Sequence, residues 1–508
     1  MNVLLSLLQK STDYNQLLKA VEAKQAVAVS GLSQAPRSHV LAAAHEQSGR
    51  PLIAVCQDDM AAKRLASELG AFLGEEPPVL PSRELTLAGA IGVSRQWEQQ
   101  RLRLLYALAQ GRVPVLVASL DALLLRTLPR QTLFSASVTL RVGAEYSMPE
   151  LIERLTRAGY SRASLVEGVG QFALRGGILD VYSPAQEKPL RAEFFGDELD
   201  TMGYFDPITQ RRTENVDEAV LLPVAETEPH LHPQGISGLC EDLRAIIARQ
   251  QRRKTPNQAL IETLQKDCEA LENETLFASA DRYMALIYPE FTTAASYLPQ
   301  EAIVAFCDHG NLQRGEKDRA EEFGLLLDSF LTSGTLFGEL CDYYATMDDL
   351  AASLRGRAVI YCDSFLAARY PESLPPKQLL SFTARQLPGY GGSLETAAAD
   401  LKNYASNQYG SIVLCGGQRR GEILKELLAK SGLNALLSFP LTKLPQPGQI
   451  LIAGGSLPAG LEYPTLKFAI LTEGQLLVKK TERKVTPKKA PSNRKKLESF
   501  TDLTPGDL

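Results

Sequence analysis

The segment Gly31-Leu-Ser-Gln-Ala-Pro-Arg-Ser38 stands between a short apolar run and a helical pattern, where a nucleotide-binding protein carries its phosphate loop. A working loop of the form GxxxxGK[ST] needs a second glycine, a lysine for the β- and γ-phosphates, and a hydroxyl for magnesium. Here Pro36 replaces the glycine and Arg37 replaces the lysine, so that only Gly31 and Ser38 remain. Because proline lacks an N–H donor and arginine is a bulky planar fork, we expect a degenerate nucleotide loop.

The partner of such a loop would be an apolar strand ending in an aspartate for magnesium and a glutamate for the attacking water. The best candidate is Asp308, which follows the run AIVAFC but is succeeded by His309. We interpret this pair as a degenerate Walker B motif, and a structural role is the more common one for such a pair. The sequence therefore predicts a lobe with no catalytic residue, no ATPase activity and no cofactor.

Two other patterns are weaker evidence for a ligand-binding site. His230 and His232 in EPHLHPQ have no carboxylate or cysteine at a recognisable metal-site spacing, so we expect solvated loop histidines and no metal site. The glycine-rich stretch 389–393 lacks the strand-turn-helix context of a dinucleotide site, and a turn is the better interpretation.

Alternating strand and helix patterns organise the chain around these residues. Residues 1–145 predict the first part of an α/β lobe and 225–350 its second part, with an α+β domain at 147–222 inserted between them. Residues 355–475, including the apolar run AVIYCDSF, predict a second domain. The predicted fold class is thus α/β: a degenerate P-loop (RecA-like) lobe with an inserted small α+β domain, followed by a second, smaller α/β domain.

One helical pattern makes a more detailed prediction. In SRQWEQQRLRLLYALAQG, the apolar residues share one helical face, which places Trp97 in the core. Arg101 and Arg103 fall elsewhere on the helix. Core packing is therefore a better explanation of Trp97 than a ligand site.

The inserted domain contains the strand pattern LRAEFF. Its two-residue period places Leu190, Ala192 and Phe194 on one face, and places Arg191, Glu193 and Phe195 on the other. Arginine and aromatic residues are enriched in protein interfaces, so the second face fits a docking surface. The alternative is that Phe195 packs under a neighbouring loop. Arg175 has the parity opposite to Phe172 and Leu174, and it is also expected to point outward.

Net charge, hydrophobic content and cysteine spacing limit the classes of protein to which this chain could belong. A net charge of -5 and 44% hydrophobic residues do not suggest a nucleic-acid binder over the whole chain. The seven scattered cysteines have no CxxC spacing, and neither a leader nor a long apolar stretch is evident, so we expect a cytoplasmic protein with reduced thiols and no membrane partner. Residues 479–496 carry nine Lys or Arg against one Glu, and 476–497 are interpreted as a basic linker.

The block FALRGGILDVYSPAQEKPLRAEFFGDELDTMGYFDPITQRR strongly resembles the UvrB-homology region of the bacterial transcription-repair coupling factors (Mfd), and more distantly UvrB. The runs VPVLVASLDALL and LLPV match in the right order, and the terminal FTDLTPGDL, within 498–508, resembles the start of the family's RNA-polymerase-interacting domain. The resemblance implies a chain truncated before the polymerase-interacting and motor domains. RNA polymerase, DNA, ATP and magnesium would then be engaged only by those later domains.

The resemblance also implies a partner. In that family the inserted domain docks onto UvrA, and the residues that match its docking positions are Arg175, Arg191 and Phe195. The implied function is transcription-coupled nucleotide excision repair, with this chain as a non-catalytic recruitment module. The alternatives are a degenerate helicase-like ATPase that uses Ser38 and Asp308, or a DNA-binding module that uses the basic linker.

Overall fold

A computed structural model of the chain describes residues 3–88, 96–273, 279–367, 369–391 and 393–477. The predicted basic linker beyond residue 477 and the segment 498–508 lie outside the described residues. Within the described ranges, every helix is too short or too polar to cross a membrane.

The amino-terminal part alternates helices with buried strands. Its strands are β1 (Ala26–Ser30), β2 (Leu52–Cys56), β3 (Val79–Leu80), β4 (Val115–Ser119) and β5 (Val138–Arg141). Its helices are α1 (Val3–Ser6), α2 (Thr12–Glu22), α3 (Gln34–Ser48), α4 (Asp59–Leu73), α5 (Gln96–Ala109), α6 (Leu120–Leu124) and α7 (Arg130–Ala136).

The inserted region is an antiparallel sheet behind one amphipathic helix. It contains α8 (Met148–Arg157), β6 (Ser161–Arg162), β7 (Gln171–Arg175), β8 (Ile178–Val181), β9 (Leu190–Phe195), β10 (Glu198–Phe205), β11 (Arg212–Asn215) and β12 (Glu218–Leu221). The strand order is β11-β10-β9-β8-β7-β6, and the β6–β7 pair is parallel. A second, two-stranded sheet pairs β12 with β5, so the two ends of the insertion lie side by side.

The chain then returns to the first lobe. The returning elements are α9 (Gly235–Gln251), α10 (Gln258–Glu272), α11 (Met284–Ile287), β13 (Ile303–Cys307), α12 (His309–Thr332), α13 (Met347–Ser353), β14 (Ala358–Cys362) and β15 (Gln378–Ser381). Together the two parts build a seven-stranded parallel sheet in the order β15-β1-β14-β13-β2-β4-β3. Its inner strands are buried along their whole length, as expected of a parallel sheet with helices on both faces.

A third sheet follows. It is built from β16 (Arg385–Gln386), β17 (Gly410–Cys415), β18 (Ala435–Ser438), β19 (Ile450–Gly454), β20 (Leu461–Tyr463) and β21 (Phe468–Thr472), with helices α14 (Leu394–Ser406), α15 (Gln418–Lys430) and α16 (Glu473–Leu477). Four of its strands are parallel, and β16 and β20 form an antiparallel edge. The predicted α/β fold class is confirmed by these sheets.

One predicted strand assignment was wrong. The run AVIYCDSF was placed in the second α/β domain, but β14 pairs in parallel with both β1 and β13 of the first sheet. The next strand, β15, also joins that sheet, at its edge beside β1. The apolar run predicts a strand correctly, but strand order in a parallel sheet depends on contacts between distant segments.

The predicted face of α5 was also wrong. Trp97 is 51% exposed, and the Nζ of Lys63 lies 5.1 Å from the centre of its ring. Arg101 is completely buried instead, because its guanidinium forms an ion pair of 2.9 Å with the equally buried Glu226. A charge can take a core position when a distant part of the chain supplies its partner.

Candidate functional site

The predicted loop residues lie at the carboxyl end of the seven-stranded sheet, between β1 and α3. Gly31 has a φ of 81°, and a Cβ at this position would come within 2.0 Å of the carbonyl oxygen of Phe382. The turn therefore requires glycine. Pro36 lies in the first turn of α3, where N–H groups have no partner within the helix, so the helix tolerates it. A phosphate at this turn would lose one donor.

Arg37 and Asp308 meet across the sheet. Arg37 Nη1 lies 2.7 Å from Asp308 Oδ2, and the arginine side chain is only 7% exposed. Asp308 follows β13 directly and adopts a left-handed conformation, with a φ of 59°. The sheet thus joins the two halves of the predicted degenerate site. The ion pair neutralises the carboxylate that would hold magnesium and the cation that would face a phosphate.

The other two residues of the degenerate site have structural contacts. The buried Ser38 hydroxyl donates a hydrogen bond of 2.6 Å to Glu68 Oε2 on α4. His309 is fully buried, stacks on Tyr370 at 5.1 Å and meets the edge of Tyr361 at 5.0 Å. Burial lowers the pKa of His309 to about 4, so its ring is neutral at pH 7. Both side chains thus take part in packing and hydrogen-bonding contacts within the lobe.

A cavity of about 280 Å³ remains beside the ion pair. Its lining is mostly polar and includes both carboxylates and arginines, among them Gln34, Arg37, Asp58, Arg64, Glu68 and Asp308. His309 does not line it. Loss of nucleotide binding stays a prediction, and the internally paired charges of the cavity favour it.

The loop histidines differ from the sequence-based expectation. His232 was expected to be solvated, but it is buried, and its Nε2 lies 3.3 Å from Asp242 Oδ2. His230 is half-buried, and its Nδ1 lies 2.8 Å from Glu228 Oε1. The first carboxylate comes from α9, 10 residues after His232, and the second stands only 2 residues before His230, within the same stretch. In the stretch 389–393, residue 392 lies outside the described residues and Ser393 caps α14.

The predicted docking residues lie on one face of the inserted sheet, on β7 and β9. Both arginines bind the carboxylate of Asp180 on β8, which is fully buried. Arg191 donates to it at 2.7 and 2.9 Å, and Arg175 donates at 2.5 Å. Asp180 is the register partner of Arg191, so the sheet itself aligns the two groups. The carboxylate holds both guanidinium groups in fixed positions.

The three docking residues differ in exposure. Phe195 is 84% exposed, so the alternative in which it packs under a loop was wrong. Half of the Arg175 side chain is exposed, but only 18% of Arg191. Arg191 is further held by the carbonyl oxygen of Gln210 at 3.2 Å and lies 4.6 Å from the ring centre of the buried Phe205. The face therefore presents one free aromatic ring, one half-exposed cation and one largely covered cation.

Sequence reasoning missed Asp180, Phe205 and Gln210. Asp180 stands in the apolar run GILDVY, where an acidic residue at a buried strand position signals a charged partner. Its partner could have been sought among the arginines of the neighbouring strand patterns. No comparable signal marks Gln210, whose role depends on the turn after β10 folding back over Arg191.

The inserted region, together with β5, corresponds in extent to a known family of domains. Residues 138–226 match the UvrB interaction domain. The match begins at β5 and ends just after β12, so it includes the two-stranded sheet that closes the insertion. The UvrB interaction domain thus contains all three predicted docking residues and Asp180, whereas the degenerate loop and the cavity lie outside it.

Longer similarities cover nearly the whole chain. A transcription-repair-coupling factor of Staphylococcus aureus (strain USA300) is 26% identical over 512 residues, which cover 99% of this chain and 43% of the relative. That of Bacillus subtilis (strain 168) is 23% identical over 508 residues, which cover 98% of this chain and 42% of the relative. The chain spans less than half the length of these relatives.

Proposed function

We propose that this chain is a recruitment module that binds UvrA through the outward face of residues 138–226 and so connects stalled transcription to nucleotide excision repair. The observation that carries the proposal is the pairing of an exposed Phe195 with arginines fixed by the buried Asp180. An aromatic anchor and pre-oriented arginines are the groups that dominate protein interfaces. The match to the UvrB interaction domain and the name of the relatives support the same role.

We further propose that the chain has no ATPase activity and takes no cofactor. The Arg37–Asp308 ion pair supports this, because both charges that a Mg·ATP complex would need already satisfy each other. Engagement of RNA polymerase and DNA would belong to later domains, in the part of the longer relatives that this chain does not span. A cytoplasmic location is part of the proposal, and it is consistent with seven free cysteines.

Binding of purified UvrA to the chain tests the docking proposal. We expect Phe195→Ala to weaken binding about 10- to 30-fold, the effect of losing an interface hot spot of about 1.4–2 kcal/mol. Phe365→Ala is the matched control, because Phe365 is 87% exposed but lies in the first lobe. The proposal fails if Phe195→Ala binds like the parent chain, or if the two phenylalanine variants lose affinity equally.

A thermal shift with Mg·ATP tests the second proposal. Ligand that binds only the folded state raises the melting temperature. We expect millimolar Mg·ATP to leave the melting temperature unchanged. A shift that grows with nucleotide concentration and is lost in Asp308→Asn would instead assign a working site to the cavity.

A further inference from the structure

Two cysteines and a glutamate meet on the helical hairpin of α9 and α10, away from both the docking face and the degenerate loop. Cys240 lies on α9, and Cys268 and Glu272 lie four residues apart on one side of α10. Two sulfurs and a carboxylate oxygen from these side chains all lie within 4.8 Å of one another. Ligands about 2.0–2.3 Å from one tetrahedral ion are roughly 3.5–4 Å apart, so a small closure would complete the site.

We propose that Cys240, Cys268 and Glu272 bind a thiophilic divalent cation of the zinc class, with a water as the fourth ligand. Thiolate and carboxylate are both zinc ligands, and three protein ligands plus one water is a recognised tetrahedral arrangement. Magnesium and calcium prefer oxygen-only sites, so the two sulfurs select against them.

The three proposed ligands differ in their exposure to solvent. Cys240 is completely buried and Cys268 is only 5% exposed. The side chain of Glu272 is 44% exposed, so an ion reaches the sulfurs from the side of this carboxylate. The two sulfurs are thus buried beside a partly exposed carboxylate.

Arg244 holds Glu272 when no ion is bound. The two side chains form an ion pair between α9 and α10 one turn from the cysteines, and Arg244 is 55% exposed. An ion pair this exposed contributes about 0–1 kcal/mol, so the carboxylate can change partners at small cost. Binding of the cation would therefore require Glu272 to rotate from Arg244 towards the two sulfurs.

Binding of the cation would displace the protons of the two thiols. In the metal-free chain the Sγ of Cys240 donates a hydrogen bond to the carbonyl oxygen of Cys268 at 3.8 Å. As the two sulfur–metal bonds form, the thiols release their protons to solvent, because the thiolate is the form of cysteine that binds a metal. The bound cation then links the two helices, which stabilises the folded chain.

Titration of the reduced, metal-free chain with Co²⁺ tests the site. We expect one equivalent to produce the near-ultraviolet sulfur-to-cobalt charge-transfer band, and one equivalent of Zn²⁺ to remove it. We also expect Zn²⁺, but not Mg²⁺, to raise the melting temperature. Absence of the sulfur band at saturating Co²⁺ would overturn the proposal.

Variants identify the ligands. Cys240→Ser should abolish the band. Cys341→Ser is the control, because Cys341 is a half-buried cysteine outside the proposed site, where its Sγ donates a hydrogen bond to the carbonyl oxygen of Phe337. Glu272→Gln changes an exposed side chain and so leaves folding intact. We expect it to weaken Co²⁺ binding at least about tenfold, since even second-layer partners of metal ligands contribute about 10- to 100-fold. A band that survives Cys240→Ser, or unchanged affinity in Glu272→Gln, would show that the cation binds elsewhere.

Discussion

Asp180 fixes the positions of Arg175 and Arg191, the two arginines of the proposed docking face. Its carboxylate is buried and accepts hydrogen bonds from both guanidinium groups, and Arg191 also lies over the ring of Phe205. A side chain held in this way loses little further conformational freedom when a partner binds. At the residue scale, the docking face depends on an aspartate that a partner would not touch.

The first prediction concerns this carboxylate. Asp180→Asn keeps the shape but removes the charge, so we expect about tenfold weaker UvrA binding and a loss of about 1–3 kcal/mol in the free energy of unfolding. Calorimetric titration and urea unfolding measure the two effects. Combining Asp180→Asn with Arg191→Ala should give less than the sum of the single losses of affinity, because both changes break the same contact. Strict additivity would contradict the positioning role.

The second prediction concerns the ion pair in the first lobe. Asp308→Asn leaves the buried Arg37 without its charged partner, so we expect about 1–3 kcal/mol lower stability to urea. Glu339→Gln is the control, because Glu339 pairs with Arg249 at 3.1 Å and both side chains are more than half exposed. Its effect should be about 0–1 kcal/mol. Equal losses in the two variants would contradict the account of the Arg37–Asp308 pair.

At the scale of elements, α5 holds the inserted domain against the first lobe. Arg103 donates to the carbonyl oxygens of Pro184 and Gln186, while Arg101 binds Glu226 at the end of the insertion. Glu226 also accepts a hydrogen bond from Thr127. The same helix therefore contacts the insertion in its middle and at its exit, which fixes the orientation of the docking face.

A buried histidine on α3 forms hydrogen bonds to two other elements. The ring of His39 on α3 lies 2.9 Å from the Tyr463 hydroxyl on β20 and 3.0 Å from the carbonyl oxygen of Leu4 on α1. Burial lowers the pKa of His39 to about 4, as it does for His309. The folded state thus resists protonation at two places where helices pack on the sheets.

The third prediction follows from the sign of these two pKa shifts. Between pH 6.5 and about 4 the unfolded histidines bind protons that the folded ones do not, so stability falls as the pH falls through this window. We expect about 2 kcal/mol lost per histidine between pH 7 and 5. Urea unfolding at both pH values measures it, and His39→Gln should reduce the loss by about half. A parent chain equally stable at pH 5 and 7 would contradict the assignment of neutral buried rings.

Local patterns predicted much of this architecture. The two-residue period of LRAEFF identified the outward face of β9, and the apolar runs identified β1 and β13, the strands that precede the degenerate loop and Asp308. The sequence did not reveal the burial of Arg101, the sheet that β14 joins, or the role of Asp180. Each of these depends on a partner from another segment of the chain. Of the three, Asp180 alone carried a local signal, because it is an acidic residue within an apolar strand pattern.

At the scale of the whole molecule, two potential sites lie on different parts of the chain. The chain leaves the seven-stranded sheet after β4, forms the inserted region that matches the UvrB interaction domain, and returns to the sheet at β13. The cavity lies in the lobe beside Arg37, whereas the exposed Phe195 lies on the insertion. We therefore propose that the lobe serves as a scaffold and that the binding function belongs to the domain inserted into it.

The location of UvrA on this chain tests that division most directly. Amide hydrogen exchange of the complete chain, with and without saturating UvrA, reports which backbone segments become protected. We predict slower exchange in the turns at 176–177 and 196–197, which flank Arg175 and Phe195, and no change in α3. Protection confined to the lobe, with the two turns exchanging as in the free chain, would contradict the account.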